Sequence, residues 1–96
     1  MNTLFQTPIV PDRLRLARML VDSYAALRRE SESNPRGRRV ERLRGEFDGI
    51  CRTLDACRVV PTAWAAEDIA MRVFADSEDH AIPMGEVLNR IVNEFN

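Results

Sequence analysis

The chain has 96 residues, a formal net charge of −1, 45% apolar and 30% charged residues, and two cysteines. At that length one domain with one modest core is expected, with no room for a second domain or a deep cofactor cleft. No window holds the ~18 apolar residues of a membrane span. The beginning of the sequence has neither region of a signal peptide, so a cytoplasmic setting is expected.

Residues 1–11 read as an extended N-terminal arm. Leu4, Phe5, Ile9 and Val10 are apolar, while Pro8 and Pro11 forbid a regular helix through them. The arm is expected to lie across its own domain or to reach a partner. The first helix is expected over 12–31, with Pro11 in its first turn. Leu14, Ala17, Val21, Tyr24 and Ala25 share one side, and Leu16, Leu20 and Leu27 widen the stripe to about half the circumference. So wide a face needs at least two helix neighbours. The polar run Glu30–Gly37 breaks the pattern, with Asn34 as the expected N-cap and Pro35 as the first helical residue of the next helix.

That second helix, expected over 36–58, organises the chain. Val40, Leu43, Phe47, Ile50, Leu54 and Cys57 step by 3, 4, 3, 4 and 3, a spacing that only an α-helix brings onto one face. Fewer than three heptads read better as the core face of a small bundle than as a coiled coil. The opposite face carries Arg38, Arg42, Gly45, Gly49 and Arg52, a notch of small residues edged with arginine. Glu41–Arg44, Arg42–Glu46, Arg44–Asp48 and Asp48–Arg52 can pair along the surface.

Val59-Val60-Pro61 ends this helix, and Thr62 is expected to cap the third, over 63–76. Ala65, Ala66, Ile69, Ala70, Val73 and Phe74 form its core side, while Trp64 and Met71 project from the other. Asp76–His80 reads as an acidic turn. A last helix, expected over 84–95 and opened by Pro83, presents Met84, Val87, Leu88, Ile91, Val92 and Phe95 to the core. No strand pattern or internal repeat is present. The fold class expected is all-α: one small antiparallel bundle of about four helices.

Charge is unevenly spread. Residues 1–58 hold 12 Arg against 8 acids, and residues 59–96 hold 2 Arg against 7. The two halves can attract each other within one fold or between copies. All 14 basic residues are arginine. Exclusive arginine fits a GC-rich bacterial or phage genome, or selection for forked contacts to carboxylate and phosphate.

The residues give enzyme chemistry no support. The single histidine, His80, neighbours Asp79, but no serine or cysteine sits in a nucleophile motif. Counting from Asp76, an EF-hand loop would place Ala81 at its glycine position and Val87 at its glutamate position, so calcium is rejected. No Cys/His cluster suits zinc, and no glycine loop suits a nucleotide. No cofactor or metal is expected. Cys51 and Cys57, six apart on one helix, are ~9 Å apart and too distant for a disulfide.

The expected function is therefore that of a non-enzymatic bacterial or phage regulator, an anti-activator, inhibitor or adaptor that binds another protein. The residues expected to carry it are Arg38, Arg42, Gly45, Gly49, Arg52, Trp64 and Met71. A homodimer is expected as well. A small nucleic-acid-binding regulator is the alternative, using Arg36, Arg38, Arg39, Arg42 and Arg44. The acidic residues among them and the lack of an aromatic stacking platform count against it. A purely structural, self-assembling subunit is the third reading.

Overall fold

The computed structural model describes residues 12–96. The expected arm over 1–11 lies outside the described residues. Among those described there are four helices and no strand: α1 Arg13–Ser33, α2 Arg38–Ala56, α3 Ala63–His80 and α4 Met84–Glu94. Helix α1 packs against α2, α3 and α4, as its wide apolar face requires. α3 also touches α2 and α4, whereas α2 and α4 occupy opposite corners and do not meet.

Each helix end has a local cause. Asp12 caps α1, its carboxylate accepting the Arg15 N–H at 3.2 Å. Pro35 disfavours the helical region for the residue before it, and Asn34 accordingly leaves the helix at φ −149°. Asn34 is thus the C-cap of α1, not the expected N-cap of α2. The Gly37 N–H closes a four-residue turn onto the Asn34 carbonyl at 3.0 Å, with Pro35 in its second position. Helix α2 starts only after that turn, with Gly37 as its N-cap. A Cβ at Gly37 would displace the exposed Asn34 side chain.

The end of α2 is a Schellman motif. Arg58 takes the left-handed conformation at φ 59°. Its N–H reaches the Asp55 carbonyl, and the Val59 N–H reaches that of Leu54, both at 2.9 Å. The motif turns Val59 and Val60 inward, where both are buried. Thr62 caps α3 as expected, accepting the Ala65 N–H at 3.0 Å. The run Asp76–His80, expected as a turn, is instead the last turn of α3. It ends at Ala81, left-handed at φ 51°, with the Ile82 N–H returning to the Ser77 carbonyl at 3.1 Å.

One cluster of buried residues draws on all four helices and the α2–α3 connection. Leu20, Val21, Leu54, Val60 and Ile91 are its largest fully buried side chains. Tyr24 stands at its centre on the α1 side, its ring 5.3 Å from both Phe47 and Phe74. The core side of α2 differs in detail from the heptad expected. It comprises Val40, Leu43, Phe47, Cys51 and Leu54, stepped by 3, 4, 4 and 3. Ile50 is half-buried, and Cys57 is an exposed cap residue beyond the helix. A short straight helix turns 3.6 residues at a time, so its buried face drifts off a strict seven-residue repeat.

Candidate functional site

The surface follows from how α2 sits. It is covered by α1 on one side and α3 on the other, and among the described residues nothing covers its outer ridge. Arg38, Arg42, Gly45, Gly49 and Arg52 all lie exposed. A Cβ at Gly45 or Gly49 would meet no described atom within 4 Å. The acidic half of this chain does not lie on this notch among the described residues. None of the four expected ion pairs along α2 is closed. Exposed pairs of this kind contribute only ~0.3–0.5 kcal/mol, too little to hold two long side chains in one geometry.

Acids of the second half are mostly engaged at home. Arg72 joins α3 to α4 through a forked contact to Glu94, at 2.7 and 3.0 Å, and also reaches Asp68 at 2.8 Å. Those two carboxylates, Glu94 foremost, hold the guanidinium above its ordinary pKa. Arg90 pairs with Asp76 and, at 3.7 Å, with Glu86. Asp76 also faces the His80 ring at 3.0 Å. A cavity of about 430 Å³ between α3 and α4 is lined by these already paired groups. Among the described residues one ion pair crosses between the two halves of the chain, Arg28 with Glu78 at 3.3 Å. Arg28 also lies over the Phe74 ring, 5.5 Å from its centroid.

The nucleic-acid set is divided. Arg39 is drawn back to Glu30 of α1 at 3.4 Å, and Arg36 belongs to the turn before α2. Arg38, Arg42 and Arg44 are exposed and, among the described residues, unpaired, and so are Glu41 and Glu46 between them.

Trp64 and Met71 point away from the core as expected, 73% and 47% exposed. Juxtaposition of α2 and α3 adds a neighbour to each. One cleft of about 200 Å³ brings Trp64 and Glu67 of α3 beside Asp48, Cys51 and Arg52 of α2. A second, of about 210 Å³, brings Met71 and Glu67 of α3 beside Arg44 and Phe47 of α2, and Tyr24, Leu27, Arg28 and Ser31 of α1 wall its other side. Glu67 borders both, so the two clefts adjoin there and make a groove along the α2–α3 seam whose second half is also walled by α1. The seven residues singled out in the sequence therefore separate. Arg52 and Trp64 border one cleft and Met71 the other, whereas Arg38, Arg42, Gly45 and Gly49 border neither. Arg44, Asp48 and Glu67 complete the groove. Sequence reading did not assign Asp48 and Glu67 to a site, because only the packing of two helices identifies them.

The groove is not built for nucleophilic chemistry. Cys51 is 2% exposed. Burial first, then Glu67 and Asp48, pushes its thiol up to about 12, which keeps it protonated and inert. Among the described residues no group of three or more His, Cys, Asp or Glu is placed to hold a metal ion. None of the described helices is long and apolar enough to cross a membrane.

Fold and surface together define a small four-helix bundle with an open two-cleft groove. No family model matches the chain, and no curated protein or solved structure matches it either.

Proposed function

We propose that this protein is a non-enzymatic regulator that acts by binding another protein through the groove between α2 and α3. The observation that carries the reading is Trp64, its ring 73% exposed at the edge of the groove beside Arg52. Holding the only tryptophan in water forgoes roughly 2–3 kcal/mol of burial, at the ~25 cal/mol per Å² that apolar area contributes. Tryptophan and arginine are also the side chains most often found as energetic anchors of interfaces. Proteins of this kind include anti-activators, inhibitors and adaptors. The bacterial or phage cytoplasm is the setting we assign, supported by the exclusive use of arginine and by two free thiols.

A second reading is favoured by the same stripe. Trp64 and Met71 lie on one face of α3, and a two-fold axis through that face would bury both against a second copy. Light scattering separates this homodimer from the 11.0 kDa monomer.

The groove reading is tested by placing a photoreactive benzophenone side chain at position 64, or at the exposed Asn89 of α4 as a control, in the native host. Discrete protein adducts from position 64 and none from position 89 are expected. Identical patterns from the two positions would count against the groove.

A further inference from the structure

We infer that the occupant of the groove is an amphipathic helix of a partner protein carrying acidic, basic and acidic residues one turn apart, with two apolar side chains seated in the clefts. This rests on the protein-binding reading above and adds the chemistry of the partner.

The apolar requirement follows from the clefts. Both are open to solvent, at about 200 and 210 Å³, and their apolar walls are Ala63 and Trp64 over Cys51 in one, and Tyr24, Leu27, Phe47 and Met71 in the other. They are marked by Trp64 and Met71, seven residues apart on α3, so they are offset by ~10.5 Å along its axis. That offset equals the separation of positions i and i+7 on a helix lying along the groove. An extended strand would gain main-chain hydrogen bonds only at a sheet edge. The described residues form no sheet.

The charged requirement follows from α2. Arg44, Asp48 and Arg52 are spaced four residues apart, Arg44 beside the Met71 cleft and Asp48 and Arg52 beside the Trp64 cleft. None is ion-paired among the described residues. Glu67 is likewise unpaired and sits where the clefts join, adding negative charge near Asp48. Read along the groove the potential is positive, negative, positive, with steps of ~6 Å. A helix with Glu, Lys and Glu at i, i+4 and i+8 is its complement. Arg44–Asp48 and Asp48–Arg52 compete for these groups from within α2, but such exposed local pairs are weak enough to be displaced. Nucleic acid is the poorer match, because a phosphate backbone cannot offer the central positive charge that Asp48 and Glu67 require.

Trp64 fluorescence reads the outcome, since it is the only tryptophan. The probes are two designed helical peptides without tryptophan. The first carries leucines at i and i+7 and the Glu-Lys-Glu row. The second has the same leucines and a Lys-Glu-Lys row. The first should shift Trp64 emission to the blue, and the second should bind roughly tenfold more weakly or worse. Trp64→Phe, followed by anisotropy of a dye on the peptide, should keep most of the binding. Trp64→Ala should lose roughly thirtyfold or more. The double variant R44E/R52E should reverse the preference between the peptides. All three are surface changes, and unchanged helical circular dichroism and melting verify the fold.

Equal binding of the two peptides would overturn the inference, as would no binding of the first at about 1 mM. So would a blue shift with duplex DNA alone, or with increasing protein concentration alone, which would assign the groove to nucleic acid or to a second copy. Peptide failure while position 64 still yields protein adducts overturns the acidic-helix chemistry only. Failure of both overturns the groove as a binding site.

Discussion

Gly45 and Gly49 give the sharpest energetic test of how α2 is exposed. Both lie in the interior of a 19-residue helix, with no described atom within 4 Å of a Cβ at either position. On such a surface alanine adds no clash and removes the conformational freedom that glycine contributes to the unfolded chain. Each Gly→Ala change should stabilise the fold by ~1 kcal/mol, and the pair by ~2. In a domain of this size that raises Tm by about 8–16 °C. Thermal and denaturant unfolding followed by circular dichroism measures it. A double alanine variant that melts at or below the parent would refute the reasoning, since it would mean that the ridge is covered by a contact a methyl group disturbs.

The remaining predictions concern the helix ends and the core. Ala81→Gly relieves a left-handed Cβ at φ 51° and should stabilise the protein by ~1 kcal/mol in denaturant unfolding. Leu54→Ala empties a fully buried site and should cost ~2–5 kcal/mol, enough to expose much of the chain to protease. With a thiol reagent and mass spectrometry, Cys57 should label in the folded protein and Cys51 only after unfolding. The Cys51 thiol is raised from 9.0 to about 12 in the fold. Its contribution is therefore fully present below pH 9.0 and is lost as pH rises toward 12, and Cys51→Ala should flatten that alkaline limb of stability.

Helical periodicity made the architecture readable before any coordinates. Four apolar stripes locate four helices, and Thr62 announces the start of α3 by its side chain alone. The α3 stripe also places Trp64 and Met71 outside. The helix ends at Arg58 and Ala81 were not readable, because a left-handed stop is signalled by glycine and neither residue is one. That is why Asp76–His80 reads as a turn: a solvent-facing last turn and a polar loop have the same composition. Val59 and Val60 look like a linker until the Schellman motif folds them into the core. The outer ridge was legible from spacing within one helix. The groove was not, since Arg44, Asp48 and Arg52 meet Trp64, Glu67 and Met71 only when α2 and α3 are side by side.

Three methionines make the surface its own control. Met19, Met71 and Met84 are 43%, 47% and 42% exposed in the free chain, but only Met71 borders the groove. Hydroxyl-radical footprinting of the purified protein, alone and with native host extract, reads all three by mass spectrometry along with Trp64. The groove account predicts that Met71 and Trp64 lose most of their oxidation in the extract while Met19 and Met84 keep theirs. Protection of Met19 or Met84 with Met71 and Trp64 still oxidised would contradict it.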